Sequence, residues 1–443
     1  MVFAPSASWG FFPLDEELQL LPGHLTPSLQ ESLVHLSTWM PFARAVKELR
    51  FFTQVTTTEP TVRRETEAAG AAYVAVQSAE VERLERELPT PPQGPALQLL
   101  SVDGAFVPLV HKQWAEVKTL VLGKVNAPVM EKGERVVHSS DLSYFSRMTD
   151  DKTFGRFALV ETHRRGTETA HHVCALTDGA EWEQGFIDLH RPDATRILDF
   201  SHATGYVAQA GQSVLGEGTE TFTAWLTQTR HELKHGESEV VLNTLRDMQA
   251  EVSARGASSE AAANIVQKSL AYLEKRRAHI TYAQFQALGY PIGSGSVESA
   301  NKLVVEARLK GSGMHWAPPH VDPMLALRNI ACSDRWEEAW PQITQRLRRQ
   351  TREARMRRHQ KRRAKNLTVV TPMEPIITPP SSAALSEPTA AGIGLQISTP
   401  TPPRGSKSVE KKPHRPAASH PWRRSPIGRA RFKPSRRPGD AKL

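Results

Sequence analysis

Two aspartates occupy positions in this sequence where a side chain could take part in chemistry. Asp103 and Asp178 each follow a run of apolar residues, and each begins the tripeptide Asp-Gly-Ala. Each apolar run predicts a strand, so each aspartate is expected where a strand ends and the backbone turns. Ligands of α/β sheets bind beyond the carboxyl ends of the strands. The alternative for either aspartate is an ordinary Asp-Gly turn, which is common and needs no function.

A third acidic residue, Glu298, lies in a segment rich in glycine and serine. This segment, residues 293–302, reads Gly-Ser-Gly-Ser-Val-Glu-Ser-Ala-Asn-Lys and leads into a predicted helix. Glu298 falls in the first helical turn, with Asn301 and Lys302 on the same face. Two alternatives are a first-turn acid stabilised by the helix dipole and a loop whose backbone N–H groups bind an anion.

The elements that must position these acids alternate between strands and helices over residues 96–210. Such alternation favours an α/β class. Three strands, then a helix, a strand, a helix and a strand is the order of an RNase H-like domain. The predicted strands are 99–110 (with a turn at Gly104), 114–125, 135–139, 171–176 and 196–200, and the predicted helices are 153–165, 181–189 and one beginning at His202.

Residues 1–95 form the predicted N-terminal region, which reads as helical. We predict one helix over 37–52 and a second that starts after the threonines at 56–58, where Pro60 falls in the first turn. A threonine cap followed by proline is a helix start signal. The two helices fit a helix-turn-helix in which Arg63 and Arg64 contact DNA. Any short helical hairpin with surface arginines gives a similar pattern.

The rest of the chain divides into three predicted parts. Residues 211–287 are polar and helical, and they interrupt the α/β domain. Residues 288–345 return to it and supply Glu298. Residues 346–443 begin with a basic helix that reaches Lys365 and continue as a tail rich in Pro, Ser and Thr, which we predict to be disordered.

Charge is distributed unevenly along the chain. From Arg346 to the C-terminus there are 24 Lys/Arg against 5 Asp/Glu, whereas residues 1–345 carry 32 Lys/Arg against 42 Asp/Glu. A basic tail on an acidic body suggests a polyanionic partner, most simply nucleic acid. The alternative is a tail that only increases solubility.

The cysteines and the N-terminus indicate the compartment. Cys174 and Cys332 give neither a disulfide framework nor a zinc pattern, so reduced thiols in the cytoplasm are expected. Residues 1–21 lack the positive start of a signal peptide. No run of 18 apolar residues occurs, so no membrane span is predicted.

Six segments, in this order and at this spacing, resemble bacterial insertion-sequence transposases of the DDE type. The similarity is to the mutator-like branch, and within it to the Kra-type group, and it extends from about Pro41 to Trp336. The segments are Ser-Val-Asp-Gly-Ala (101–105), Trp-Ala-Glu-Val-Lys-Thr (114–119), Thr-Asp-Gly-Ala-Glu-Trp (177–182), Ile-Leu-Asp-Phe-Ser-His-Ala (197–203), Gly-Ser-Gly-Ser-Val-Glu-Ser-Ala-Asn-Lys (293–302) and Met-Leu-Ala-Leu-Arg-Asn (324–329).

The resemblance implies that Asp103, Asp178 and Glu298 are the catalytic triad and the metal ligands. Two Mg²⁺ ions, for which Mn²⁺ could substitute, would support cleavage of DNA at the ends of the insertion sequence and the transfer of the cut strand. Asp103 would bridge the ions. Asp199 and His202 would form a supporting Asp-x-x-His element, although Ser201 departs from the residue often found between them. Helix capping is the alternative role for His202.

The resemblance also implies double-stranded DNA as the partner, both terminal inverted repeats and target, bound by a homodimer or larger assembly in the bacterial nucleoid. Arg63 and Arg64 would read the repeats. Lys302, Arg308 and Lys310 would contact phosphates near the cut, with a solvated helix face as the alternative. Two tryptophans beside the motifs, Trp182 and Trp316, could stack on an unpaired base, although core packing is the commoner role.

Three other functions compete with transposition. A transposase-derived repressor would bind DNA without catalysis. A metal-dependent nuclease of the RNase H superfamily would use the same acids without strand transfer. A glycosidase with paired carboxylates is disfavoured, because no aromatic sugar platform accompanies the acids.

Overall fold

The computed structural model describes residues 25–131, 133–255 and 259–367, with side chains described as far as Lys361. These residues belong to one compact unit that spans residues 1–371. Our prediction of a disordered tail falls almost entirely outside the described residues. The predicted basic helix lies within them and is confirmed, since a helix runs from Trp336 to Leu367.

A five-stranded mixed sheet lies at the centre of the fold, as predicted for an α/β protein. Its spatial order is β5-β2-β1-β6-β7, with β1, β2 and β5 antiparallel and β1, β6 and β7 parallel. A separate two-stranded hairpin joins β3 to β4. The strands are β1 (Leu97–Pro108), β2 (Trp114–Val125), β3 (Val129–Glu131), β4 (Glu134–Val136), β5 (Ser139–Arg147), β6 (His172–Thr177) and β7 (Thr195–Leu198).

The predicted turn at Gly104 is wrong, because β1 runs straight through this residue. Strand β2 pairs with β1 without a break from Gln98 to Pro108, which keeps the backbone extended. Strand β6 pairs with β1 only as far as Leu100. Asp103 therefore lies inside a strand, three residues beyond the point where the parallel neighbour stops pairing.

The predicted position of the third strand is also wrong. The sequence predicts that residues 135–139 join the sheet, but 134–136 pair in the small β3–β4 hairpin instead. The sheet strand is β5, which begins at Ser139 and pairs with β2.

Helices surround the sheet, and the first and last elements of the described part of the chain are helices. Among the described residues, no helix has the length and apolarity needed to cross a bilayer. The helices are α1 (Pro27–Trp39), α2 (Phe42–Thr53), α3 (Glu59–Glu87), α4 (Asp151–Arg164), α5 (Glu181–His190), α6 (Phe200–Leu215), α7 (Glu220–His235), α8 (Ser238–Ala254), α9 (Glu260–Lys275), α10 (Tyr282–Ala287), α11 (Gly295–Ala300), α12 (Ala307–Leu309), α13 (Val321–Cys332) and α14 (Trp336–Leu367), with a π-helical segment (Asn301–Glu306) between α11 and α12.

The N-terminal region contains a break that the sequence pattern does not predict. In place of the single helix expected over 37–52 there are the end of α1 and most of α2, separated at Met40 and Pro41. The residue before a proline avoids the helical conformation, and Met40 is accordingly extended. The start of α3 is as predicted: the Thr58 side chain accepts a hydrogen bond from Thr61 N, and Pro60 lies in the first turn.

Three hydrophobic clusters hold these layers together. One packs α4 and α5 against one side of the sheet, for example Phe154 against Phe145. A second joins α6 to α10 with β6 and β7. A third joins the N-terminal helices to the segment that follows Glu298. Helices α3 and α13 approach so closely that a Cβ at Gly70 would lie 2.1 Å from the carbonyl oxygen of Pro323.

Candidate active site

The three predicted acids line a single cleft, although they are up to 195 residues apart in the sequence. Asp103, Asp178 and Glu298 all face this space of about 440 Å³. Asp199 and His202, the predicted supporting residues, line it as well. The five side chains that the motifs single out therefore lie together in the fold.

Asp103 is fixed from two directions. Its Oδ1 accepts a hydrogen bond from Gly104 N at 2.7 Å, and its Oδ2 accepts one from Asn301 Nδ2 at 2.8 Å. Burial raises the pKa of Asp103, and the charges of Asp178 and Glu298 raise it further against these hydrogen bonds. Both carboxylates are thus near enough to oppose its ionisation.

Helix α9 holds the turn that carries Asp178. The Tyr272 hydroxyl donates to the carbonyl oxygen of Asp178, and Arg276 Nη2 donates to that of Gly179 at 2.5 Å. Gly179 has a φ of +86°, and a Cβ there would lie 2.5 Å from Arg276 Nε. Glycine is favoured at this position because other side chains would strain the backbone at this φ, and they would also displace Arg276.

Glu183 is a further acidic residue of the site, and the sequence motifs do not reveal it. Its Oε2 accepts hydrogen bonds from Gly179 N at 2.9 Å and Ala180 N at 3.0 Å. A carboxylate oxygen of Glu183 lies within 4.8 Å of oxygens from Asp103 and Asp178. Burial raises the pKa of Glu183 to about 10, with Asp178 contributing. The available signal is a glutamate at the third position of α5, which is typical of a helix start.

Asp199 connects the end of the sheet with the segment that leads into α11, the helix that contains Glu298. As the N-cap of α6, its Oδ2 accepts a hydrogen bond from His202 N at 2.7 Å. Its Oδ1 accepts one from Ser294 N at 2.6 Å, and Asp199 is buried. The Ser294 hydroxyl in turn lies 3.4 Å from Glu298 Oε1. One carboxylate thus connects α6 with the start of α11.

His202 presents its ring to the cleft, and Asp199, not His202, caps the helix. The imidazole packs against Tyr206 and Tyr272, with ring centroids 5.3 and 5.8 Å away. The two tyrosines stack on each other at 3.9 Å. His202 therefore belongs to an aromatic wall that continues to the Asp178 turn.

The residues predicted to contact DNA phosphates are not all on the surface. Lys302 and Lys310 are exposed, and Lys310 pairs with Glu306 at 2.7 Å. Arg308, expected on a solvated helix face, is instead 2% exposed, and its Nε donates to Ser37 O. The π-helical segment shifts the register after Glu298 and turns Arg308 towards α1.

The arginines and tryptophans that the sequence motifs single out have mixed locations. The side chains of Arg63 and Arg64 are 55% and 69% exposed. Trp182 packs edge-on to Phe154, and Trp316 is buried with its Nε1 donating to Leu309 O. Trp316 is 7% exposed, so most of its ring packs in the core, and the small remainder lines a cavity.

Comparisons with known proteins assign no family to this chain. No protein-family model matches the sequence, and no curated protein matches it. The transposase interpretation therefore depends on the six sequence segments and on the chemistry of the cleft.

Proposed function

We propose that this protein is a DDE-type DNA transposase that cleaves DNA at insertion-sequence ends and joins the ends to target DNA. The observation that carries the proposal is that Asp103, Asp178 and Glu298 line one cleft, in which carboxylate oxygens of Asp103, Asp178 and Glu183 lie within 4.8 Å of one another while Glu298 stands outside that cluster. Asp103, Asp178 and Glu298 each belong to a separate sequence motif.

The sheet supports an RNase H-like catalytic domain. Three antiparallel strands of the sheet (β1, β2 and β5) are followed in the chain by two parallel ones (β6 and β7). Helix α4 follows β5, and α5 lies between β6 and β7. Asp103 lies on the central strand and Asp178 follows its parallel neighbour. Helices α6 to α10 lie between Asp199 and the segment with Glu298, which agrees with the helical insertion predicted from the composition of residues 211–287.

The donor groups of the cleft fit Mg²⁺, which prefers hard oxygen ligands. Asp103 and Asp178 would hold the metal, with Glu298 from across the cleft, and Glu183 lies close to both aspartates. Asn301 Oδ1, on a residue 6% exposed, has no hydrogen-bond partner in the described structure and is a further oxygen. Bound Mg²⁺ would supply Lewis-acid stabilisation of the attacking and leaving oxygens.

The protein's own groups would prepare the site for DNA. Asn301 donates a hydrogen bond to one oxygen of Asp103, and Asp199 accepts one from the start of α11, the helix that contains Glu298. Tyr272 and Arg276 hold the Asp178 turn through backbone carbonyls. Such preorganisation matters because phosphoryl transfer depends on positioning and charge stabilisation.

The test is incubation of full-length protein with labelled terminal-repeat DNA and Mg²⁺ or Mn²⁺. Asp103→Asn, Asp178→Asn and Glu298→Gln should each lower cleavage by more than about a hundredfold, since each removes several kcal/mol of metal-dependent stabilisation. Asp193→Asn is the matched control, because Asp193 is an exposed acid paired with Arg191. DNA binding should persist in all four variants.

The products separate the competing functions. Cleavage followed by a joined product supports the transposase. Cleavage without joining would identify a nuclease, and binding without cleavage would identify a transposase-derived repressor. Full cleavage by Glu298→Gln would remove that residue from the triad.

A further inference from the structure

A second cavity lies between the N-terminal helices and the segment that follows Glu298. It has a volume of about 420 Å³. We call it the arginine cavity, because Arg63 of α3 and Arg308 of α12 both line it although they are 245 residues apart. Its apolar walls include Phe42, Met314 and Trp316.

Arg308 is a buried cation without an anion. Within the described chain its guanidinium makes one hydrogen bond, from Nε to Ser37 O at 2.9 Å, and forms no ion pair with a carboxylate. Its buried Nη2 has no partner among the described residues. Burial, together with the charges of Arg328 and Arg63, lowers the pKa of Arg308 to about 10. A buried charge without compensation is costly.

Part of this arrangement has a structural explanation. Ser37 lies in the last turn of α1, where free carbonyls are commonly capped by arginine. That role accounts for Nε of Arg308 and leaves the buried Nη2 without a partner in the described chain. The unused donor is on the side chain that helps to form the cavity.

Arg63 reaches the same place from the surface. The guanidinium carbons of Arg63 and Arg308 lie 5.4 and 4.7 Å from the Phe42 ring centroid, and Arg308 is also 5.2 Å from that of Trp316. Both guanidinium groups thus lie beside the Phe42 ring.

Two glutamates also line the cavity, but each already has a side-chain partner. Glu59 lies 3.5 Å from Arg63, and Glu67 lies 3.1 Å from His320. The pair of Arg63 and Glu59 is about half exposed on both sides. Exposed pairs of this kind contribute little, so a phosphate could replace Glu59 as the partner of Arg63.

We infer that the arginine cavity binds one nucleotide of the DNA substrate, with the phosphate at Arg63 and Arg308 and the base against the apolar wall. Guanidinium groups suit phosphate because they offer two parallel donors. The volume is in the range of small-ligand sites, roughly 300–1,000 Å³. DNA as the source of the nucleotide rests on the proposed function.

The position suits a nucleotide close to the cut. Ten residues of mostly helical chain separate Glu298 from Arg308, which is about 15 Å along a helix axis. At 3.4 Å per nucleotide of one strand, this corresponds to roughly four nucleotides from the scissile phosphate.

The experiment is saturation-transfer NMR of the full-length protein with thymidine 5′-monophosphate, without divalent metal. Base protons should receive saturation, and thymidine without phosphate should bind at least about tenfold more weakly. Arg63→Ala should weaken binding by about tenfold, which is the loss of one charge-assisted hydrogen bond. Arg64→Ala is the matched control, since Arg64 is the exposed neighbour paired with Glu65 and does not line the cavity.

Several outcomes would overturn the inference. These are no saturation of base protons, equal losses in Arg63→Ala and Arg64→Ala, or inorganic phosphate binding as tightly as the nucleotide. Arg308→Lys should also weaken nucleotide binding, because lysine keeps the charge but lacks the forked donors of arginine. If Arg308→Lys does not fold, the result for Arg63→Ala decides the inference. Asp103→Asn should bind the nucleotide as tightly as the wild type does. Nucleotide binding thus tests the arginine cavity independently of the catalytic proposal.

Discussion

Carboxylates that share a partly buried space oppose each other's ionisation, and the candidate site contains five of them. Asp103 and Glu183 both have raised pKa values, chiefly because of burial and also because of their acidic neighbours. A divalent cation would remove this repulsion, whereas an apolar environment alone would not. Metal binding would therefore explain why the site keeps several carboxylates close together.

Glu183 is predicted to support the site as a hydrogen-bond acceptor. Glu183→Gln keeps an oxygen for Gly179 N and Ala180 N, so cleavage should fall by no more than about threefold, whereas Glu183→Ala should lose about ten- to a hundredfold, as supporting residues at metal sites do. Cleavage rates at saturating Mn²⁺ measure both variants. A Gln variant as inactive as Asp178→Asn would instead make Glu183 a charged metal ligand.

His190, remote from the cleft, should make stability depend on pH. Its Nε2 lies 2.9 Å from Gly155 O, and burial lowers its pKa from 6.5 to about 4. The unfolded chain therefore takes up the proton first. Stability is full above about pH 6.5 and falls as pH drops towards 4, by up to about 1.4 kcal/mol per pH unit.

Urea unfolding at pH 7 and pH 5 checks this prediction. His190→Gln can keep a donor near Gly155 O but does not titrate. The wild type should lose more stability than the variant between the two values, and the other acid-sensitive groups cancel in the comparison. An equal loss in both proteins would contradict the assignment of a neutral, buried His190.

At the scale of elements, the acids are positioned by connections between segments that are distant in the chain. Asp199 joins α6 to the loop before α11, and α9 holds the turn after β6. The π-helical segment after α11 places Asn301 against Asp103. Local departures of this kind from regular helix often mark functional sites.

Asp199→Ala should reduce cleavage by more than its effect on folding explains. It removes the N-cap of α6, worth about 1 kcal/mol, and leaves Ser294 N without its partner. Thr219→Ala is the matched control: Thr219 caps α7 by accepting from Phe222 N at 3.1 Å, and it does not line the cleft.

Both variants should lose stability, and only Asp199→Ala should lose at least about tenfold in cleavage, in the range for supporting residues. Rates should be compared at a temperature where circular dichroism shows both proteins folded. Equal cleavage in the two variants would reduce Asp199 to a helix cap.

At the scale of the whole molecule, much of the fold is predictable because its signals are local. Apolar runs predict β2 and β6, and a threonine followed by proline predicts the start of α3. The proximity of Asp103, Asp178 and Glu298 follows only from the family resemblance, since no local pattern shows that distant residues meet.

The features that the sequence does not predict depend on tertiary contacts. Gly104 stays extended because β2 pairs along the whole of β1. Arg308 is buried because α12 packs beside α1, which helical periodicity after Glu298 does not show. Glu183 joins the acids only because α5 begins at the Asp178 turn.

The charge asymmetry predicts a salt-dependent contribution of the tail to DNA binding. Residues 372–443 carry 13 Lys/Arg against 4 Asp/Glu. Truncation after Thr371 should weaken non-specific DNA binding and make its salt dependence shallower, by about 0.9 in log–log slope for each phosphate that the tail neutralises. Fluorescence anisotropy over roughly 50 to 200 mM salt measures this, and an unchanged slope would contradict it.

The central claim is that three acidic side chains from distant segments hold divalent metal together. Crystals of the full-length protein grown with Mn²⁺ and measured at the manganese absorption edge test it most directly. We expect an anomalous peak about 2.0–2.5 Å from a carboxylate oxygen of Asp103, with further oxygens from Asp178 or Glu298. A cleft without a peak, or a metal bound with Glu298 turned away, would contradict the account.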